Sequence, residues 1–219
     1  MRLRRKKWTN SLIEENKNLM IVPIKGEQIS LDKVFNNSKK VCLEIGCGKG
    51  NFVINNAIQN PDCNYIGYEK NDTVLAIGLK KAINLETKIN NLKFLNSYAE
   101  NLNDLFLPDS FFKIFLNFSD PWPKARHEKR RLTNLFFLDE VYSKLVVKDG
   151  FIEFKTDNDS LYEFTLEQIQ KSKYWKIVKY TDDLYKNQEM LSGNIQTEYE
   201  KKFHELGQKI KKIILINKK

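Results

Sequence analysis

The sequence predicts a doubly wound α/β fold, a mostly parallel sheet of seven strands with helices on both faces. Two observations indicate this fold. Apolar runs of strand length alternate with segments whose apolar residues recur at helical spacing. In addition, acids, glycines or a tyrosine follow several of the strands. Ligands of such sheets bind at the carboxyl ends of the strands, so the residues after each strand are the first candidates for a site.

Size and composition fit one domain with a sizeable core, since 41% of the 219 residues are hydrophobic. We expect a basic arm and lead-in over residues 1–38. A single domain would follow over residues 39–219, with a polar excursion at about residues 181–207.

No segment approaches the roughly 20 uncharged apolar residues of a membrane helix. The basic N-terminus also lacks the apolar stretch of a secretory signal. Three cysteines without CxxC spacing or a nearby histidine pair are typical of reduced thiols, and they indicate no metal site. We therefore expect a cytoplasmic protein that needs neither a membrane nor a metal. The sequence leaves the oligomeric state open between monomer and homodimer.

The distribution of arginine favours nucleic-acid binding. The net charge is +9, and of 37 Lys plus Arg residues only six are arginine. A planar guanidinium suits bidentate contact with phosphate, which lysine cannot copy. For the N-terminal run, either a frayed tail or an arm along phosphates, with Trp8 packed on base or protein, fits equally well. The arginines lie in two short runs: Arg2, Arg4 and Arg5, then Arg126, Arg130 and Arg131.

The first predicted strand, from Val41, runs into a Gly-x-Gly-x-Gly turn, and a helix follows over residues 51–59. Such a turn brings backbone N–H groups close to a ligand. Asn51 stands where a dinucleotide fingerprint has its third glycine. Glu44, inside the apolar strand, either caps a neighbouring loop or faces a cationic ligand, and we favour the second.

The second predicted strand, residues 64–69, ends in Glu69, about 20 residues past the glycines, where a carboxylate can accept hydrogen bonds from both ribose hydroxyls. Helical spacing over residues 72–85 follows, with Asn71 or Asp72 as N-cap. A third strand over residues 92–95 leads to Tyr98.

The fourth predicted strand delivers the chain to Asp120 and to a corner in which prolines flank Trp122. Proline fixes φ and lacks a backbone donor, so the corner is neither helix nor central strand. A basic run over residues 124–131 follows. We interpret Asp120 as the residue that meets a substrate, with the basic run on that substrate's phosphates. Trp122 either stacks on a base or locks the corner.

The remaining chain is predicted as alternating helices and strands. The helices cover residues 132–147 and 160–170, and the strands cover residues 150–155, 175–180 and 209–216. Asp157 follows the first of these strands, at the carboxyl end that also receives the other candidates.

The glycine turn with Glu69 resembles the Rossmann-like S-adenosylmethionine-dependent methyltransferases. The stretch Phe118–Lys124 with the basic run is more specific and resembles the tRNA (guanine-N7)-methyltransferases. Lys155-Thr156-Asp157, Thr197-Glu198-Tyr199-Glu200 and the basic start with Trp8 also resemble that family. The resemblance covers nearly the whole chain. It implies methyl transfer from S-adenosylmethionine to N7 of a tRNA guanine, at position 46 in the variable loop.

The resemblance also implies roles for individual residues. Asp120 would be the catalytic acid and touch the cofactor. The family usually has an acidic or amide residue at the adenine, where this chain has Tyr98, so adenine would stack on the ring or bond to backbone groups. The other cofactor residues would be Glu44, Gly46, Gly48 and Glu69. The residues on substrate or RNA would be Lys124, Arg126, His127, Lys129, Arg130, Arg131, Asp157, Thr197, Glu198, Tyr199 and Glu200.

Three other classes of protein compete with this interpretation. A methyltransferase for protein or small-molecule amines would also suit an acid–proline–aromatic corner, but it leaves the confined arginines unexplained. A non-catalytic RNA-binding protein conflicts with the intact glycines, Glu69 and Asp120. A nicotinamide enzyme is disfavoured by Asn51 and by the lack of an obvious histidine or tyrosine pair for hydride transfer.

Overall fold

The structure is a computed structural model that describes residues 8–219. The expectations for Arg2, Arg4 and Arg5 fall on residues 1–7 and lie outside the described part. Trp8 is the first residue of a helix and is 38% exposed.

Seven strands form a sheet in the order β3-β2-β1-β4-β5-β7-β6. This agrees with the predicted α/β class, and β7 is antiparallel to both of its neighbours. The strands are β1 (Val41–Ile45), β2 (Asn64–Glu69), β3 (Leu92–Asn96), β4 (Phe111–Asn117), β5 (Val146–Thr156), β6 (Trp175–Thr181) and β7 (Lys211–Asn217).

The helices alternate with the strands along much of the chain. The α-helices are α1 (Trp8–Glu15), α2 (Leu31–Phe35), α3 (Asn51–Gln59), α4 (Asp72–Ile83), α5 (Leu102–Leu105), α6 (Ser143–Leu145), α7 (Asp159–Lys171), α8 (Gln188–Leu191) and α9 (Glu198–Glu205). Short 3₁₀ segments cover Lys17–Leu19, Ala99–Asn101, Ala125–Arg130 and Leu184–Lys186, and a π-helix covers Phe137–Tyr142. Within residues 8–219, no helix combines the length and apolar character needed to cross a membrane.

The chain divides into two compact units, one ending at Leu107 and one covering Pro108–Lys219. In the first unit β1, β2 and β3 are parallel, so their carboxyl ends share an edge. The lead-in joins this unit through backbone bonds, because the N–H of Ile21 donates to the carbonyl of Phe94 and that of Ile29 to Leu105. A fully buried set of side chains forms the core here, including Leu43, Ile66, Leu75, Leu79, Leu92 and Phe94.

In the second unit β4 and β5 are parallel, while β7 is antiparallel to β5 and β6. Trp175 is fully buried and its Nε1 donates to the carbonyl of Leu138 at 2.8 Å, which ties β6 to the π-helix. The polar excursion contains α8, α9 and a 3₁₀ turn. Its Leu184 and Met190 pack with Ile210, so it has a small core of its own.

The helix predicted over residues 132–147 was wrong in its bounds and its type. Helical structure starts at residue 135, turns into the π-helix and ends at Leu145, where β5 begins. Asn134 explains the late start, because its Oδ1 accepts the N–H of Phe137 and its Nδ2 donates to the carbonyl of Lys129. The β-branched pair Val146 and Val147 favours the strand that follows.

Gly67 of β2 has no side chain, and this leaves room for the Phe94 ring and for Cys47 of the glycine turn. A Cβ there would lie 2.9 Å from Phe94 Cδ1 and 3.0 Å from Cys47 Sγ. Only a residue without Cβ therefore lets the Phe94 ring and the turn approach β2 this closely.

We expect Gly67→Ala to lower the free energy of unfolding by about 1–3 kcal/mol, the usual cost of overpacking. Adding Phe94→Leu removes the ring atoms that the new methyl would meet. The double variant should thus be more stable than the sum of the two single effects, as measured by denaturant unfolding. If the two changes in the free energy of unfolding were strictly additive, Gly67 would not be needed to make room for Phe94.

Candidate functional site

In the first unit, the turn after β1 is built for close approach of a ligand. Gly46 and Gly48 have φ of +76° and +56°, a region that favours glycine. The N–H of Gly46 donates to the carbonyl of Tyr68 at 2.7 Å, which fixes the start of the turn. A Cβ at Gly46 would meet no atom within 4 Å, so open space lies beside the backbone here. The residues present thus form the kind of cradle that a nucleoside-bearing ligand uses.

Two carboxylates flank this turn. Glu44 is 3% exposed in β1, and Glu69 ends β2 half-buried. Burial and the charges of Glu44 and Glu69 raise the pKa of the Cys47 thiol well above its usual value. Cys47 therefore stays protonated and serves as a small packing residue between them.

Glu69 holds the turn as well as ending the strand. Its Oε2 accepts the N–H of Gly48 at 3.2 Å and its Oε1 accepts the N–H of Asn71 at 2.9 Å. Asn71 in turn caps α4 by accepting the N–H of Val74. Asn96 donates to the carbonyl of Glu69 at 2.8 Å. The carboxylate is thus positioned where β2 ends, beside the glycines, as the spacing predicts.

Tyr98 follows β3 and is 60% exposed. Its carbonyl accepts the hydroxyl of Tyr68 at 2.6 Å. Burial raises the pKa of Tyr68 to about 12, so this donor keeps its proton at neutral pH. The backbone of Tyr98 is therefore fixed while much of its side chain faces solvent.

In the second unit, the corner after β4 has an unusual backbone. Phe118 has φ of +52° and Trp122 has φ of +42°, each costing on the order of 1–3 kcal/mol for a residue with a side chain. The N–H of Phe118 donates to the carbonyl of Lys155 at 2.8 Å, which attaches the corner to β5. Asp120 lies between these two residues with its side chain exposed. Strain of this kind is typical of a site that holds a side chain in place.

The basic run forms a 3₁₀ segment on which most side chains are exposed. Trp122, which precedes it, is half-buried rather than part of the core. Its ring packs edge-on against His127 at 5.5 Å, and the guanidinium of Arg130 lies 4.9 Å from it. The exposed members of the run are Lys124, Arg126, Lys129 and Arg130.

Arg131 differs from the rest of the run. Its Nε donates to the carbonyl of Pro121 at 3.0 Å and its Nη2 to that of Trp122 at 3.1 Å. The structure thus gives this predicted RNA-binding residue a role inside the corner.

Asp157 and Tyr199 meet at the end of β5. Burial, together with the charge of the nearby Asp157 carboxylate, raises the pKa of Tyr199. The Tyr199 ring lies 4.9 Å from Phe118 and stacks on Phe203 at 4.1 Å, while 43% of the residue stays exposed. The structure therefore brings Tyr199 of α9 against Phe118 of the corner, with Asp157, which follows β5, close to the Tyr199 side chain.

Glu200, predicted to contact the substrate, faces the protein interior. It is fully buried, and its Oε2 pairs with the Nζ of Lys155 at 2.5 Å. Its Oε1 accepts from Tyr185 and Asn194. Glu200 also forms a capping box with Thr197 at the start of α9. Both residues thus build the start of the helix that presents Glu198 and Tyr199.

Sequence reasoning missed the Lys155–Glu200 pair, together with Tyr185 and Asn194. Lys155 Nζ also donates to the carbonyl of Ile195 at 3.0 Å. Burial lowers the pKa of Lys155, and the Glu200 carboxylate opposes that shift. The available signal was a charged residue inside an apolar strand, since a buried lysine needs a partner.

We expect Lys155→Met to lower the free energy of unfolding by about 3–5 kcal/mol, because Glu200 keeps a buried charge without its cation. Adding Glu200→Gln should recover much of that stability in denaturant titrations. The control is Lys144→Met, whose exposed pair with Glu140 at 3.1 Å should be worth less than about 1 kcal/mol. Equal destabilisation by Lys155→Met and Lys144→Met would contradict the assigned role.

Solved structures share the fold at low identity. The 16S rRNA methyltransferase KamB superposes with a TM-score of 0.64 at 12% identity, over 90% of this chain and 99% of that one. A structure of an antibiotic-related methyltransferase gives 0.61 at 18% identity, over 90% and 98%. Residues 8–219 contain no group of three or more His, Cys, Asp or Glu residues that could hold a metal ion.

Comparison of the sequence with known proteins identifies the family. The family model described as "Putative methyltransferase" matches residues 38–213. A tRNA (guanine-N(7)-)-methyltransferase of Mycoplasma capricolum subsp. capricolum is 53% identical over 100% of both chains. The enzyme of that name from Bacillus subtilis is 42% identical over 96% of both. The chain therefore belongs to the tRNA (guanine-N7)-methyltransferase family.

Proposed function

We propose that this protein transfers the methyl group of S-adenosylmethionine to N7 of a guanine in tRNA, at position 46 of the variable loop. The observation that carries the proposal is the full-length identity of 53% to a relative of that name, over a chain that keeps the glycine turn and the corner. A tRNA substrate also favours the cytoplasm as its place of action.

The first unit supplies the residues that suit the cofactor. The open backbone at Gly46 and Gly48 leaves room for it, and the Glu69 carboxylate at the end of β2 suits ribose hydroxyls. Glu44 would favour the positive charge of a sulfonium, and the exposed ring of Tyr98 offers a face to adenine. S-adenosylmethionine supplies, when bound, a methyl group activated by that sulfonium.

The main task of the protein in this reaction is to align guanine N7 with the methyl group. Guanine N7 already carries a lone pair and no proton, so no general base is required. Correct orientation can contribute about 7–11 kcal/mol in favourable cases. The exposed Asp120 carboxylate can accept hydrogen bonds from N1–H and from the exocyclic amine of guanine, which would turn N7 toward the methyl group.

The second unit supplies the groups that suit tRNA. Asp157 presents a carboxylate, and Tyr199 presents a partly exposed ring beside Phe118. The exposed cations of the basic run suit phosphates. Trp122 lies among those cations, where a base could stack on it for about 1–3 kcal/mol.

Asp120→Asn should lower kcat about 10- to 100-fold, because an amide cannot accept both guanine hydrogen bonds and a small misalignment slows the reaction steeply. The affinity for S-adenosylmethionine, measured by calorimetry, should fall much less than kcat, because the glycine turn and Glu69 still hold the cofactor. Asp62→Asn, on an exposed loop of the first unit, is the matched control and should keep full turnover. Full turnover of Asp120→Asn would remove Asp120 from the orienting role.

Arg130→Ala and Lys129→Ala should weaken tRNA binding, because each removes an exposed cation from the basic run. The slope of log affinity against log salt should flatten by about 0.7–0.9 for each phosphate that the enzyme no longer neutralises. The control is Lys171→Ala, an exposed lysine in the last turn of α7, which should leave the slope unchanged. Slopes identical to wild type in all three variants would show that the basic run is a solvated surface.

A further inference from the structure

We propose that Arg131 is a positioning residue, which holds the corner that carries Asp120 and does not bind RNA phosphate. The inference rests on the proposed function and adds a residue to it. It separates Arg131 from the neighbouring basic residues, with which it shares charge and sequence context.

The corner has few backbone N–H groups that could donate hydrogen bonds. Pro121 and Pro123 have no N–H to donate, and Trp122 between them has φ of +42°. The carbonyls of Pro121 and Trp122 lie close enough together for one external donor to reach both. A group that satisfies the two carbonyls together fixes the peptide units on both sides of Trp122, two residues after Asp120.

The Arg131 guanidinium is that donor. Its Nε lies 3.0 Å from the Pro121 oxygen and its Nη2 lies 3.1 Å from the Trp122 oxygen. The guanidinium also lies over the Phe164 ring of α7, with Cζ 4.3 Å from the ring centroid. A planar fork that bonds two successive carbonyls while packing on an aromatic ring has no equivalent in lysine.

The Arg131 main chain is anchored as firmly as its side chain. Its N–H donates to the carbonyl of Glu128 at 3.0 Å, and its carbonyl accepts the N–H of Asn134 at 3.1 Å. Asn134 is only 6% exposed and also holds the carbonyl of Lys129. Arg131 thus connects the corner to a buried frame at the start of the π-helix.

Arg130 provides the contrast. It is exposed, and its guanidinium lies over the Trp122 ring at 4.9 Å, whereas the two corner carbonyls are bonded by Arg131. Adjacent arginines therefore serve different purposes: one faces solvent beside the tryptophan, and the other supports the turn.

The test compares Arg131→Lys with Lys171→Arg on the exposed end of α7, since both keep the positive charge. Arg131→Lys should lower kcat about 10- to 100-fold, the scale of a shift of about 1 Å at an aligned site. Its KM for tRNA and its salt slope should stay within about twofold of wild type. Lys171→Arg should keep kcat. In Arg131→Ala, millimolar guanidinium should restore part of kcat, which a purely folding defect would not allow.

Hydrogen exchange gives a readout that does not depend on activity. Amides of residues 118–124 should exchange at least about tenfold faster in Arg131→Lys than in wild type, while those of β5 remain protected. Thermal melts identify any variant that fails to fold. Full kcat in Arg131→Lys, or unchanged exchange at the corner, would overturn the inference. Wild-type enzyme that methylates no tRNA would instead overturn the proposed function, and the exchange result would still judge Arg131.

Discussion

The second unit depends on one buried ion pair, Lys155 with Glu200. Two charges removed from water cost several kcal/mol each, and only a complete set of partners makes that burial tolerable. The structure supplies these partners. The Lys155 ammonium also donates hydrogen bonds to the Asn194 side chain and the Ile195 carbonyl, and the Glu200 carboxylate accepts hydrogen bonds from Tyr185 and Asn194. The pair thereby fixes α9 against the end of β5, and Tyr199 meets Asp157 as a consequence.

In the corner after β4, the hydrogen bonds of Arg131 offset an unfavourable backbone. Two prolines remove donors, positive φ angles add strain, and the half-buried Arg131 offsets both. We expect a corner built this way to keep its geometry when tRNA binds, which suits an enzyme whose chemistry consists mainly of alignment. The basic run accordingly combines two roles, with exposed cations toward solvent and Arg131 within the corner.

Much of the fold could be predicted because hydrophobic spacing and strand-ending residues follow simple rules. The helix over Asn51–Gln59 and the strand over Asn64–Glu69 match their predicted bounds. The late start of the helix at residue 135 could not be predicted, since its cause is a side-chain cap at Asn134 that no periodicity reveals. Glu200 and Arg131 illustrate a second limit. Spacing shows that a charged residue belongs to a motif, but burial and partners decide whether it faces a ligand or the protein itself.

Methylation of N7 of the variable-loop guanine is the activity on which the roles of Asp120, Tyr199 and the basic run depend. It is tested most directly by mass mapping of unmodified tRNA after incubation with the enzyme and labelled S-adenosylmethionine. We predict one added methyl group, on N7 of that guanine. A methyl group on another base, at another position, or no transfer to tRNA at all would contradict the proposed activity.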